Sequence, residues 1–180
     1  MTTIIGVAGG PEAGGRTATA VSGILAGAAA SGATTELLEI SRSSTADIVA
    51  AVDAADAVVF GSPVYRATYS SMLKGLLENI QRGRWGEETA PLQGKAAAVV
   101  LTGASGHHFL AVDGLRSVLA GFFAVQVLAP GLYLDHSGYL DRSTLTDDSV
   151  LLTKAHGAAL ADLTAAVRGS EALGALRPQV

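Results

Sequence analysis

Residues 9–17 form a short segment in which glycines stand beside side chains that can bind an anion. The segment reads Gly-Gly-Pro-Glu-Ala-Gly-Gly-Arg-Thr and lies between a strand-like run and a helix-like run. Glycines let backbone N–H groups turn toward one point, and a helix N-terminus adds about half a positive charge. Arg16 and Thr17 supply further donors. We interpret this segment, called here the phosphate loop, as a phosphate-binding site; the alternative is a glycine-rich turn that binds nothing.

The phosphate loop also resembles the nucleotide-binding loop of P-loop NTPases. From residue 10 to residue 17 it reads G-x-x-x-x-G-R-T, with Arg16 where that motif has lysine. The NTPase loop uses lysine as a point charge, which a planar guanidinium does not replace. It also needs a magnesium-binding carboxylate after a neighbouring strand, and the apolar runs that end at residues 61–62 and 102–103 carry none. An NTPase is therefore the less favoured alternative.

Two further loops consist mainly of small residues. Residues 61–71 read GSPVYRATYSS, and residues 102–108 read TGASGHH. Pro63 fixes the chain direction where it leaves a strand, and such loops can present backbone N–H groups to a flat ring with an aromatic side chain nearby. Together with the phosphate loop, they indicate a mononucleotide that carries a planar heterocycle.

Alternating strand-like and helix-like runs indicate the elements that position these loops. We predict strands over residues 3–8, 34–40, 57–61, 96–101 and 125–134, and helices over residues 17–30, 46–55, 71–81, 110–122 and 147–167. Apolar strands separated by helices are typical of a parallel sheet covered on both faces. The expected fold is α/β, a flavodoxin-like, doubly wound five-stranded parallel sheet in the order 2-1-3-4-5, with its ligand beyond the carboxyl ends of the strands. We expect one domain over residues 1–168 and a C-terminal tail over residues 169–180.

Composition excludes several classes of function. The chain has 180 residues, 49% of them hydrophobic, and no cysteine, which excludes disulfides, thiolate metal sites and cysteine nucleophiles. The net charge of −4 and the scattered Lys and Arg argue against nucleic-acid binding. No apolar stretch approaches the roughly 20 residues of a membrane helix, and the N-terminus does not read as a signal peptide, so we expect a cytoplasmic protein without membrane contact. The four histidines lack metal-ligand spacing, so no metal is expected.

Two segments resemble a known enzyme family. The sequence GSPVYRATYSSMLKGLL at residues 61–77 resembles the T/S-P-x-Y…Y-S-x-x-L-K pattern of the NADPH-dependent FMN reductases. The sequence LQGKAAAVVLTGASGHHFLAVDGLRSVL at residues 92–119 is similar to the alkanesulfonate-type FMN reductases, including the L-x-G-K lead-in and the L-A-V-D after the loop. The resemblance extends over roughly residues 3–135.

The resemblance implies a flavodoxin-like FMN site at which NADPH or NADH passes hydride to FMN. The reduced flavin would go to a partner monooxygenase or another acceptor, and the family also suggests a homodimer or homotetramer. Because the hydride passes directly from the nicotinamide to the flavin, no catalytic side chain is required. Tyr65 and Arg66 would only position the two reactants. The alternatives are a flavodoxin-like electron carrier and a quinone-type reductase with tightly bound FMN. The predicted cofactor-binding residues are Gly10, Gly15, Arg16, Thr17, Pro63, Val64, Tyr65, Arg66, Thr102, Gly103, Ala104, Ser105 and His107. Candidates for the 2′-phosphate of NADPH are Arg66, Arg82 and Arg84.

The chain departs from the family pattern at two places. Members usually have Ser where Gly10 stands and Arg where Glu12 stands, both as phosphate ligands. A carboxylate repels a phosphate, so we expect weaker FMN binding unless Glu12 points to solvent or pairs with Arg16. Some members carry an extra aromatic residue in the helix after L-A-V-D; residues 113–119 show no insertion, so we expect a regular helix there.

Overall fold

A computed structural model describes residues 1–179 and contains one seven-stranded sheet. The strands are β1 (Thr3–Ala8), β2 (Thr34–Glu39), β3 (Ala57–Tyr65), β4 (Thr68–Tyr69), β5 (Ala96–Thr102), β6 (Gln126–Val127) and β7 (Leu132–Leu134). Their main order is β2-β1-β3-β5-β6, all parallel, with β7 also parallel to β5 and the short β4 antiparallel to β3. The predicted parallel, flavodoxin-like sheet is confirmed, whereas the predicted number of strands is too low.

Helices cover both faces of this sheet, as predicted. They are α1 (Arg16–Ala30), α2 (Thr45–Ala54), α3 (Ser71–Asn79), α4 (Ala111–Ser117), α5 (Asp147–Arg168) and α6 (Glu171–Gly174). Alternate residues of a strand point to opposite faces. In β1, Ile5 and Val7 join the apolar core beneath α2, α3 and α4, whereas Ile4 and Ala8 join the core beneath α1 and α5. The two cores hold the sheet in place between its two layers of helices.

Helices α1 and α5 approach closely because glycines stand at their contact. A Cβ at Gly27 would lie 2.1 Å from the carbonyl oxygen of Lys154, and one at Gly157 would lie 2.0 Å from that of Ile24. By length and composition alone, α5 is long and apolar enough to cross a membrane, with a mean hydropathy of 1.2. Charged residues, Lys154 and Asp162 among them, interrupt its sequence, so it contains no unbroken apolar run of that length. Its packing on α1 is that of a helix covering the sheet of a flavodoxin-like domain.

The last predicted strand, residues 125–134, is wrong as a single element. The structure has two short strands there, β6 and β7, separated by residues 128–131. Pro130 lies in this gap and has no N–H to donate to a ladder, which explains why the pairing is interrupted. Both pieces lie alongside β5, so the predicted position of the strand in the sheet is kept.

The expectation of a regular helix over residues 110–122 is also wrong. Helix α4 ends at Ser117 and continues as a π-helical turn over Val118–Phe122. The wide turn leaves Leu119 and Phe123 buried in one core, while Phe122 is 41% exposed. The π-helical turn therefore forms here although residues 113–119 contain no aromatic insertion.

The C-terminal residues pack back onto the domain. They form the short helix α6, and Pro178 is buried. The Nε atom of Arg84 donates a 2.8 Å hydrogen bond to the carbonyl oxygen of Pro178. The division into a domain and a tail stays a prediction.

Candidate functional site

A cleft of about 520 Å³ lies at the carboxyl ends of β1, β3 and β5, where the strand order reverses. Ligands of doubly wound sheets bind at this position. Of the residues predicted to bind a cofactor, the cleft lining includes Gly10, Gly15, Arg16, Thr17, Pro63, Val64, Tyr65, Thr102, Gly103 and Ala104. The three segments singled out in the sequence therefore meet at one place, although residues 61–71 were wrongly predicted as a loop. The predicted strand over residues 57–61 extends to Tyr65 and forms a hairpin with β4.

Three of the predicted residues are not part of this lining. Arg66 lines an adjoining pocket of about 380 Å³, which shares Val64, Gly103 and Ala104 with the cleft. Ser105 and His107 contact each other instead, with 3.2 Å between Oγ and Nδ1. The Ser105 carbonyl accepts a 2.7 Å hydrogen bond from the hydroxyl of Tyr133, which holds the loop after β5.

Buried hydrogen bonds fix both ends of the phosphate loop. At its start, the N–H of Gly9 donates to the carbonyl of Gly61 at 2.8 Å. The hydroxyl of Ser70, just before α3, donates to the carbonyl of Gly9 at 2.6 Å. At its end, the hydroxyl oxygens of Thr17 and Thr102 lie 2.8 Å apart. The loop is therefore tied to β3, α3 and β5.

The guanidinium of Arg16 is positioned by an aromatic residue that the sequence analysis missed. It lies over the ring of Tyr139, 5.6 Å from the ring centre, and the Tyr139 hydroxyl donates to the Arg16 carbonyl at 3.1 Å. Burial raises the pKa of this phenol far above its usual value, against an opposing effect of Arg16, so it stays protonated and donates. The Nε atom of Arg16 is buried and has no hydrogen-bond partner among residues 1–179. One donor in the cleft thus lacks an acceptor.

Two carboxylates lie at the phosphate loop, and each has a partner. The N–H of Gly14, whose φ of 63° favours glycine, donates to Glu39 Oε2 at 2.7 Å. The carboxylate of Glu12 pairs with the guanidinium of Arg142, and not with Arg16 as the sequence analysis considered. Glu39 and Arg142 line the cleft, as does His136. Glu12 and Arg142 are 130 residues apart, and no spacing pattern in the sequence points to their contact.

Comparison with known proteins decides the family. Residues 2–138 match the family model described as NADPH-dependent FMN reductase.

The chain belongs to the NADPH-dependent FMN reductase family. The description of this family names FMN and NADPH as the reactants of its members. NADH-dependent FMN reductase SfnF of Pseudomonas putida is 34% identical over 83 residues, which span 46% of this chain and 41% of the relative. FMN reductase (NADPH) of Escherichia coli strain K12 is 36% identical over 88 residues, 48% of this chain and 42% of the relative. The chain thus spans less than half the length of each of these relatives.

Solved structures support the fold of this FMN reductase family member. The apo form of NADH:FMN oxidoreductase (EMOB) has a TM-score of 0.78 at 22% identity, over 98% of this chain and 97% of that one. The flavodoxin WrbA-like protein from Agrobacterium tumefaciens has a TM-score of 0.69 at 20% identity, over 92% of this chain and 98% of that one. At these identities the likeness shows the flavodoxin-like fold.

The donor set of the cleft fits FMN. The unpartnered Nε of Arg16 lies next to the N-terminus of α1, whose N-cap Gly15 offers no side-chain acceptor. A phosphate bound at this end of the cleft would offer acceptor oxygens to both. At the other end, Pro63 of β3 pairs with Thr102, the last residue of β5, which brings the β3–β4 hairpin beside the loop after β5.

Of the three arginines considered for the 2′-phosphate of NADPH, only Arg66 lies beside the cleft of this reductase family member. Its pocket also includes His108. Arg84 is bound to the Pro178 carbonyl, and the guanidinium of Arg82 lies 3.9 Å from the ring centre of Phe122. His156, on α5, contacts the carbonyl oxygens of Leu152 and Pro130 at 3.0 and 3.1 Å, so its role is to hold the fold.

Proposed function

We propose that the chain is an NAD(P)H-dependent FMN reductase. The observation that carries this proposal is the cleft beyond β1, β3 and β5, with an unpartnered Arg16 Nε at its phosphate end and small-residue loops at its other end. When bound, FMN supplies the ring that accepts hydride from the reduced nicotinamide. The protein then has to position the two molecules and exclude water, which needs no catalytic acid or base.

Different residues of the cleft would hold the phosphate, line the flavin ring and position the nicotinamide. Arg16 and Thr17, with the loop amides of Gly10 and Gly15, would hold the phosphate. Residues 63–65 and 102–104 would line the flavin ring, mostly through their backbone. Tyr65, which is 52% exposed at the rim, would position the incoming nicotinamide. Ser105 and His107 lie outside the cleft lining, so any role of theirs is limited to supporting the loop after β5.

We further propose that Arg66 binds the 2′-phosphate of NADPH. Its pocket is continuous with the cleft through Val64 and Ala104 and contains a second basic side chain, His108. Arg66→Ala should raise the KM for NADPH about tenfold and leave the KM for NADH unchanged, because only NADPH carries the extra phosphate. Equal changes for both nucleotides would refute this role.

We also propose a cytoplasmic homodimer or homotetramer that delivers reduced flavin to a monooxygenase or another acceptor. A groove of about 580 Å³ on the side of α3 and the π-helical turn carries apolar side chains, including Phe122 and Phe123. Trp85 and Leu110 are 87% and 64% exposed. Exposed apolar residues of this size favour self-association. Sedimentation equilibrium of the purified chain and of Trp85→Ser tests it: a monomer at micromolar concentration would contradict the proposal.

The proposed activity is tested by NADPH and NADH oxidation at 340 nm with and without added FMN, together with FMN fluorescence titration. A rate that saturates with FMN supports the reductase. FMN binding without turnover would favour the electron carrier instead. Arg16→Ala should weaken FMN binding roughly 10- to 100-fold, since it removes a charge-assisted contact. Arg177→Ala, outside the cleft, serves as the charge-matched control and should bind FMN normally.

A further inference from the structure

We propose that Arg142 is a second cationic ligand of the FMN phosphate and that Glu12 competes with the phosphate for it. The consequence is that FMN binding exchanges the ion pair between Glu12 and Arg142 for a contact between Arg142 and the phosphate. This inference rests on the proposed function, since it concerns the phosphate end of the same cleft.

The position of Arg142 supports a phosphate contact. Its side chain lines the cleft together with Arg16, and a Cβ built on Gly15 would lie 3.8 Å from its Nη2 atom. Gly15 is the N-cap of α1, and no side chain accepts from the first N–H groups of that helix. The first turn of α1 also contains no acidic residue. The guanidinium of Arg142 thus lies at the helix terminus where a phosphate gains most.

The partner of Arg142 is weakly held. The side chains of Arg142 and Glu12 are 57% and 69% exposed, and an exposed ion pair contributes little to stability. A phosphate offers about twice the charge of a carboxylate and three acceptor oxygens, and it suits the planar guanidinium. Arg142 therefore gains free energy when a phosphate replaces the Glu12 carboxylate as its partner. Loss of the Glu12–Arg142 ion pair offsets part of that gain in FMN binding.

The loop that carries Arg142 does not depend on Glu12 for its shape. Tyr139 is held by Arg16 and pairs with Leu145, and the N–H of Leu140 donates to the Thr144 carbonyl at 2.9 Å. The carboxylate of Asp141 accepts from the N–H of Ser143 at 2.7 Å. Removal of the Arg142 side chain should therefore leave the loop and the fold intact.

The balance of charges at the phosphate loop explains why the ion pair between Glu12 and Arg142 should affect FMN affinity. Arg16 and Arg142 are balanced by Glu12 and Glu39, so the loop presents no net positive charge to a phosphate. Glu39 is engaged by the N–H of Gly14, and Glu12 is engaged by Arg142. Neutralising Glu12 frees Arg142 without disturbing the loop amide, and it should tighten FMN binding.

The test compares FMN with riboflavin, which carries the same ring and no phosphate, by fluorescence titration at a fixed 150 mM salt. Arg142→Ala should raise the Kd for FMN roughly tenfold or more and leave the Kd for riboflavin unchanged. Glu12→Gln should lower the Kd for FMN several-fold, again with no effect on riboflavin. Arg177→Ala is the control for removal of one positive charge, and circular dichroism checks that each variant is folded.

The double variant Glu12→Gln/Arg142→Ala separates a direct contact from simple neutralisation of Glu12. If Arg142 binds the phosphate, its removal weakens FMN binding even when Glu12 is already neutral. If Arg142 only neutralises Glu12, its removal in that background has no effect, and the proposal is overturned. An unchanged Kd for FMN in Arg142→Ala, or an equal loss for riboflavin, also overturns it. Wild-type FMN binding and turnover test the proposed function separately, so the two failures are distinguishable.

Discussion

The hydroxyl oxygens of Thr17 and Thr102 lie 2.8 Å apart, and both residues are buried. Thr17 belongs to the first turn of α1, at the phosphate end of the cleft, and Thr102 ends β5, which leads into the loop proposed to line the flavin ring. One hydrogen bond thus links the helix at the phosphate end of the cleft to the strand that leads into the loop proposed to line the ring.

Replacing either threonine with valine should destabilise the fold. Thr17→Val leaves the Thr102 hydroxyl buried without its partner, and the reverse holds for Thr102→Val, so each should lower the free energy of unfolding by about 1–3 kcal/mol. Thr17→Val/Thr102→Val removes both polar groups at nearly constant volume and should cost less than the sum. Urea unfolding of the three variants measures this. Strictly additive losses would show that the two hydroxyls are not coupled.

Ser70 should matter more for stability than an ordinary helix cap. It accepts from the N–H of Leu73 at 3.1 Å as the N-cap of α3, and its hydroxyl also donates to the Gly9 carbonyl. Ser70→Ala should therefore cost about 2–3 kcal/mol, for the cap and for a buried carbonyl left without a donor. Ser44→Ala is the matched control, since the hydroxyl of this exposed N-cap of α2 donates only within its own helix turn, to the Asp47 carboxylate, and not to a buried carbonyl. It should cost only about 1 kcal/mol. Equal losses by urea unfolding would argue against the link to Gly9.

The parallel sheet and the position of the cleft could be predicted because they depend on local patterns. The apolar runs of β1, β3 and β5 are readable along the chain, and their loops must meet at one edge of the sheet. The family resemblance supplied the flavin and the nicotinamide, which spacing alone does not identify. Residues 63–65 and 102–104, which that resemblance implied as ligands of the flavin ring, line the cleft, and their contact with a flavin stays a prediction.

The missed features depend on contacts or backbone angles that carry no local signal. The hairpin between β3 and β4 turns at Arg66 and Ala67, with φ of 52° and 64°. Gly or Asn is usual at such positions, so the residue types here do not indicate a hairpin. The Glu12–Arg142 pair joins two loops that are distant in sequence, and Glu39 reaches the phosphate loop from the end of β2. A lone charged residue in a loop gives no indication of which loop it will meet.

Gly103 should not tolerate a side chain. A Cβ at this position would lie 1.8 Å from the hydroxyl oxygen of Tyr133, so Gly103→Ala must displace Tyr133 and break its bond to the Ser105 carbonyl. We expect a loss of about 1–3 kcal/mol in the free energy of unfolding and weaker binding of both FMN and riboflavin, because the loop proposed to line the ring moves. Gly75→Ala, in open space on α3, should be neutral or stabilising by up to about 1 kcal/mol. A Gly103→Ala protein that unfolds and binds like Gly75→Ala would contradict this account.

The carboxyl groups of Asp135 and Asp141 should titrate below their usual pKa of 3.8, for different reasons. The hydroxyl of Ser137 has the largest effect on the pKa of Asp135, donating at 2.6 Å, whereas the backbone N–H of Ser143 has the largest effect on that of Asp141. Because both pKa values are lowered in the folded chain, the ionised groups stabilise it above about pH 3.8. This contribution is lost as the pH falls through the folded-state pKa values.

The two aspartates should therefore respond differently to loss of a serine hydroxyl. Ser137→Ala should return the pKa of Asp135 toward 3.8, because it removes the donor with the largest effect. Ser143→Ala should change the pKa of Asp141 less, because the backbone N–H that dominates there is kept. Carbon-detected NMR titration of the carboxyl groups between pH 2 and 6 measures both values. A larger change at Asp141 than at Asp135 would show that the Ser143 hydroxyl, and not the backbone N–H, has the dominant effect on the pKa of Asp141.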